Sequence, residues 1–305
     1  MNVHQYNRLM LILLITIFVS SVAAKEYKLY YLGGQSNMDG YGSLNELPKD
    51  LKVPLKGVMI FHGNTAKDGE AVDGKGIWAG LRPGHGVGFK SDGSTNIYSE
   101  RFGVEITFVR RLLELNPNEN VAIIKYSKGG TSIDLEAAGR FGCWDADFSE
   151  GNGINQYDHF LATVRNALSI KDINGDGEAD RLIPAGIVWM QGESDAAYTA
   201  EIAHRYQANL RQLMDLIRAA FRVDDLPVVI GKISDSGQDE DGKVWDYGEI
   251  VRRAQAAFVE KDRCAAIVTS TDNYGYSDKW HYNSAGYIDL GKRFAEAIAG
   301  LSGCN

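Results

Sequence analysis

The chain reads as an α/β protein built on an open, mostly parallel five-stranded sheet with helices on both faces. Two observations predict this class. Short runs that are apolar throughout alternate with longer amphipathic stretches, as expected of parallel strands covered on both faces and joined by helices. Polar, chemistry-bearing residues also follow directly after those runs, and open α/β sheets bind ligands outside the carboxyl ends of their strands.

Taken in order, the chain opens on a segment that stands apart. Arg8 precedes the apolar run "LMLILLITIFV", and "SSVAAK" follows with small residues at Val22 and Ala24. This is the pattern of a secretory signal peptide over residues 1–24, cleaved after Ala24, and the run is shorter than the roughly 20 residues that span a bilayer. Residues 25–305 then form one domain, secreted to the extracellular space or periplasm, with no membrane association after cleavage. About 280 residues suffice for one large core. The formal charge of −8, which becomes about −9 when Arg8 leaves, argues against nucleic acid or anionic lipid as partner. It also favours neutral over anionic ligands.

The strand candidates are "YKLYYL" (27–32), "VAIIKYS" (121–127), "AGIVWMQ" (185–191), "PVVIGKI" (227–233) and "CAAIVTS" (264–270). Helical periodicity is clearest over 199–221, where Ile202, Tyr206, Leu210, Leu213, Ile217 and Phe221 recur at three or four. Further helices are expected near 100–115, 156–169, 247–260 and 284–299. Residues 62–96, rich in glycine and polar groups, read as a long surface loop. Three cysteines are too few for a disulfide framework. Cys264 and Cys304 could pair and tie down the last helix, leaving Cys143 over, although sequence alone permits other pairings.

The residues after the strands carry the chemistry. "GGQSNM" follows the first, "KGGTS" (128–132) the second, "QGESDA" (191–196) the third and "DKWHYN" (278–283) the last. Acyl transfer by a serine needs a base, a group orienting that base and donors for the oxyanion. Ser36 is the candidate nucleophile and His281 the candidate base, with Asp278 three residues earlier on the same turn as its orienter. The Ser36 N–H, an N–H of Gly129 or Gly130 and the Gln191 side chain are candidate oxyanion donors. Gln35 and Asn37 fix the turn or line the pocket. Each residue alone has a plain structural reading, as a turn serine, a solvated histidine or an acidic helix start; their joint placement favours catalysis. "GESDA" imitates a nucleophile elbow at Ser194, but it lacks the second glycine and leaves Ser36 without a role.

"DINGDGEAD" (172–180) sets Asp172, Asn174, Asp176 and Asp180 around Gly177. This is similar to the start of a calcium loop, without the usual glutamate at position 12, and a structural calcium is expected there as an alternative to an acidic turn. No Cys/His cluster has zinc spacing.

Together, "GQSNM", "GGTS", "WMQGESDA" and "DKWHYNSAGY", with "FGVEITFVRRL" and "VRRAQ" between them, resemble the SGNH hydrolase superfamily. Within it they resemble the sialate O-acetylesterase and acetylxylan esterase group. The resemblance implies a flavodoxin-like three-layer α/β/α sandwich and removal of acetyl groups from carbohydrate without a catalytic cofactor. It implies Ser36 as nucleophile, His281 as base, Asp278 as acid, and a glycine of "GGT" with Gln191 in the oxyanion hole. Gly-Gln-Ser in place of Gly-Asp-Ser, and glutamine in place of asparagine in the third block, fit this branch. Glu193 of "QGE" is a second candidate acid, behind Asp278. The competing functions are a non-catalytic carbohydrate-binding protein on the same fold and an esterase or thioesterase for longer acyl chains.

Overall fold

A computed structural model of the protein describes residues 24–65, 73–149, 154–301, 303 and 304. The leader read over residues 1–24 lies, apart from Ala24, outside them. The central sheet has seven strands: β1 (Glu26–Gly34), β2 (Val58–His62), β3 (Trp78–Gly80), β4 (Asn120–Ser127), β5 (Arg181–Met190), β6 (Val228–Gly231) and β7 (Ala265–Val268). They lie in the order β7-β6-β5-β1-β4-β2-β3. All neighbours are parallel except β3, which runs antiparallel to β2.

The five strands read from the sequence are β1, β4, β5, β6 and β7, and their spatial order is that of flavodoxin-like sheets. The expectation of five strands needs correction, because β2 and β3 extend the sheet beyond β4. β3 has three residues and sits within the glycine-rich stretch read as a surface loop. That stretch is not simply superficial: Leu81, His85 and Phe89 within it are buried.

Side chains alternate across β1 and so sort the helices into two layers. Tyr30 meets Phe108 of α2 (Glu105–Leu115) edge-on at 5.3 Å. Tyr31, on the other face, meets Phe160 of α3 (Gln156–Ser169) at 4.8 Å and Phe221 of α4 (Ala200–Phe221) at 6.0 Å. α5 (Gly248–Lys261) packs along α4, and α6 (Ser284–Ala299) along α2.

α4 forms where the periodicity places it. Ile202, Tyr206, Leu210, Leu213, Ile217 and Phe221 are all buried. Thr199 caps its start by accepting from the Ile202 N–H at 3.3 Å. Arg222, at φ 58°, ends it in the left-handed conformation.

Cys264 and Cys304 form a disulfide with Cα atoms 5.5 Å apart, and Cys143 is free and buried. The bridge ties the chain end beyond α6 to the start of β7 across 40 residues. Loop-closure entropy for that span gives about 4 kcal/mol. Cys304→Ser should therefore lower the melting temperature of the oxidised protein, and reduction of the wild type should reproduce the shift. A melting temperature for Cys304→Ser or the reduced wild type equal to that of the oxidised wild type would refute this contribution.

Candidate active site

The order of the strands reverses at β1, whose carboxyl end lies between those of β4 and β5. β1 ends on Gly34 at φ +140°, where a Cβ would come within 2.0 Å of the Met190 carbonyl oxygen. Only glycine lets the strand turn so close to β5. The Gln35 N–H then donates to Met190 O at 2.9 Å, and Ser36 opens the short helix α1 (Ser36–Asp39). Ser36 lines a cleft of about 710 Å³ together with His281, Gly129, Gly130, Ser194 and Gln35. Gly129 is close enough that a Cβ on it would lie 3.2 Å from Ser36 Cβ.

His281 is built on one turn. Asp278 Oδ1 accepts from the N–H groups of Trp280 and His281 at 2.8 and 2.9 Å, while its Oδ2 accepts from His281 Nδ1 at 2.8 Å. Partial burial pushes the Asp278 pKa up. The hydrogen bonds from the imidazole and the two backbone N–H groups outweigh this and hold it below the usual carboxylate range. An ionised Asp278 fixes the proton on His281 Nδ1 and leaves Nε2 as the basic nitrogen. Tyr41 stacks flat on the imidazole, with centroids 3.5 Å apart and planes at 6°.

Glu193 is not bonded to His281. It is buried, accepts from Asn37 Nδ2 at 2.8 Å through Oε1, and leaves Oε2 without a partner. Burial raises its pKa, against the opposing bond from Asn37. Asn37 also donates to Trp280 O at 3.2 Å, and its Oδ1 accepts from the Tyr282 N–H at 3.3 Å and Tyr287 OH at 2.7 Å. The residue after Ser36 thus clamps the loop bearing His281. Asn37 is a positioning residue beneath the cleft rather than part of its lining. Gln35 lines the cleft and accepts from the N–H groups of Gly192 and Ser194.

Two expected oxyanion donors are otherwise engaged. Gln191 is fully buried and donates through Nε2 to Thr131 O at 3.1 Å and Asp195 Oδ2 at 2.5 Å, so both amide hydrogens are used. Asp195 also accepts from the N–H groups of Ile133 and Asp134. Gln191 therefore braces the "GGTS" loop from behind, which corrects its reading as an oxyanion donor. The Gly129 N–H donates to Asp39 Oδ2 at 2.9 Å. The candidates that remain are the N–H groups of Ser36 and Gly130. Ser194 reaches the cleft, but no helix begins until Ala200, so it does not sit on a strand-to-helix elbow.

Sequence reasoning passed over a second scaffold. Asp39 accepts from Ser127 Oγ as well as from Gly129. Lys125, wholly buried in β4, donates to Asp39 O, His85 O and Glu105 Oε2, each at 2.9 Å. A lysine inside the apolar run "VAIIKYS" was the available signal, since a fully buried ammonium requires a partner.

The acidic loop does gather Asp172, Asn174, Asp176 and Asp180, and hydrogen bonds take up part of the acceptor capacity of each. Asp172 accepts from the N–H groups of Gly175 and Gly177, Asp180 from Ile173 N–H and the Asn174 amide, and Asp176 from Lys25. Among the described residues no group of three or more His, Cys, Asp or Glu is arranged to hold a metal ion. We propose that these Asx-type bonds hold the loop without an ion, so millimolar calcium or EDTA should leave the melting temperature unchanged. A calcium-dependent rise would restore the ion.

A mostly parallel sheet with this strand order carries a serine, a histidine–aspartate pair and backbone N–H groups at its switch point, the set of groups that nucleophilic ester hydrolysis calls for. A family model described as "Carbohydrate esterase, sialic acid-specific acetylesterase" matches residues 26–300, and the chain belongs to that family. It is accordingly a carboxylic ester hydrolase acting on acetylated carbohydrate. Among solved structures, a protein from Arabidopsis thaliana superposes with a TM-score of 0.61 at 17% identity, covering 91% of this chain and 99% of its own. NanS does so with a TM-score of 0.60 at 16% identity, over 92% and 99%. A carbohydrate acetylesterase from Xanthomonas citri gives 0.61 at 17% identity over 91% of this chain, which corresponds to only 57% of that protein. At such identities the likeness is one of fold. No curated protein matches the chain significantly in sequence.

The two acids can be separated by experiment. Asp278→Asn should lose about 10⁴ in kcat, through the wrong imidazole tautomer, whereas Glu193→Gln should lose far less. The raised pKa of Glu193 means its contribution to stability is full below its unfolded pKa and is lost as pH rises through the folded value. Glu193→Gln should therefore flatten the fall of melting temperature with rising pH. A larger kinetic loss for Glu193→Gln than for Asp278→Asn would reverse the assignment.

Proposed function

We propose that the chain is a secreted serine O-acetylesterase that removes acetyl groups from carbohydrate through an acyl-enzyme on Ser36. The observation that carries this reading is the 2.8 Å bond from His281 Nδ1 to Asp278 on the rim of the cleft in which Ser36 lies. His281 Nε2 takes the Ser36 proton as the hydroxyl attacks the acetyl carbonyl, then returns it to the sugar oxygen that leaves. The N–H groups of Ser36 and Gly130 stabilise the oxyanion. Water, activated by the same imidazole, releases acetate. None of these steps calls on a cofactor. Secretion rests on the pattern of residues 1–24; among the described residues no helix is long and apolar enough to cross a membrane.

The cleft suits a sugar. Trp280 and Tyr198, about half exposed, line it together with Trp245 and offer flat apolar faces to pyranose rings. Its charged lining also qualifies the preference for neutral ligands read from net charge. Lys90, Lys128 and Arg140 line the cleft, while Asp39 is held by Ser127 and Gly129. A carboxylate-bearing acetylated sugar such as a sialoside is therefore favoured locally, ahead of acetylated xylan.

Ser36→Ala and His281→Ala should each abolish turnover, by on the order of a millionfold where nucleophile and base act as a unit, with melting temperatures near that of the wild type. Ser194→Ala should be mild. Release of the carboxylic acid, acetate from O-acetylated sialosides and acetylated xylan and the longer acid from longer-chain acyl esters, tests substrate class. Retained activity in Ser36→Ala, or a preference for long acyl chains, would overturn the proposal.

A further inference from the structure

The cleft holds a pair of histidines that the triad does not use. His62, the last residue of β2, lines the cleft, and its Nδ1 lies 3.2 Å from Nδ1 of the fully buried His85. Phe89 stacks on both rings, with centroids at 4.1 and 4.8 Å. Two ring nitrogens this close share one proton: one donates and the other accepts.

Both rings are neutral. Burial, followed by the charge of Lys125, lowers the pKa of each, that of His85 to about 3. Two tautomeric arrangements remain. If His62 donates, the His85 proton sits on Nε2, an atom that is buried without a partner. If His85 donates, its Nε2 carries only a lone pair. A buried N–H with no acceptor is the rarer and more costly orphan, so the second arrangement prevails. His62 Nδ1 is then the acceptor, and the His62 proton lies on Nε2. That atom, unlike His85 Nε2, is not sealed from the cleft.

We infer that His62 is a substrate-binding residue, held by His85 as a fixed Nε2–H donor that reads an acceptor oxygen of the sugar, a hydroxyl or carboxylate, beside the acetylated position. His85 is the positioning residue behind it. The inference rests on the esterase reading for its substrate, but not for its tautomers. A fixed neutral donor differs from the cations of the cleft: it discriminates by direction rather than by charge, and its hydrogen bond is not screened by salt.

The test has two arms. In ¹⁵N-histidine-labelled wild-type protein at pH 7, long-range ¹H–¹⁵N spectra should show His62 protonated at Nε2 and His85 at Nδ1. The opposite pair of tautomers would overturn the inference. For kinetics, His62→Phe keeps the stack on Phe89 and removes both nitrogens, and His62→Gln returns an amide donor near Nε2. Selectivity for the better of O-acetylated sialic acid and acetylated xylo-oligosaccharide over phenyl acetate should fall about tenfold in His62→Phe, mainly through KM, as for one hydrogen bond. It should recover in part in His62→Gln. Unchanged selectivity in a folded His62→Phe would overturn the binding role. If the wild type hydrolysed no acetyl ester, the esterase reading would fail, and the spectra would still decide the tautomers.

Discussion

The site depends on one buried amide. Asn37 has two hydrogens to donate and two lone pairs to fill, and all four are used: by Glu193, the Trp280 carbonyl, the Tyr282 N–H and the Tyr287 hydroxyl. These partners come from the segment after β5, the histidine loop and α6. A residue fixed to the end of the central strand thus sets the distance between the nucleophile beside it and a loop about 240 positions away. Loss of the amide would strand a buried carboxylate and a buried hydroxyl, and unsatisfied groups of this kind cost more than the bonds themselves contribute.

The same logic holds the other side of Ser36. Lys125 and Glu105 form an ion pair with neither side chain exposed to solvent. Removing one member of such a pair is strongly destabilising, because the other is left charged and unpaired. The ammonium also takes the carbonyls of Asp39 and His85, which joins α1 to the wall that carries the histidine dyad. Polar networks, rather than added apolar packing, therefore register the loops over the sheet edge.

Much of this was legible in the sequence, for identifiable reasons. Five of the six parallel strands announced themselves because burial on both faces makes a strand apolar throughout, and α4 because 22 residues give the helical period room to repeat. β3 was hidden: three residues hold too little pattern to stand out from a glycine-rich stretch. Ser36, His281 and Asp278 were legible by their position after strands. The direction of a side chain was not. Gln191 has the right chemistry for an oxyanion donor yet points into the core, and Glu193 stands near the histidine loop yet reaches it only through Asn37. Composition records which groups are present; only packing decides which of them face the cleft.

The turn from Asp278 to His281 has a wider implication. One carboxylate oxygen shapes the backbone of the turn while the other orients the ring, so the acid and base form a self-contained cassette of four residues. Motion of this loop carries both groups together, leaving their mutual geometry intact while changing their approach to Ser36. Such a module can be displaced and returned without being rebuilt. The alignment of the whole unit on the nucleophile is then set by Asn37.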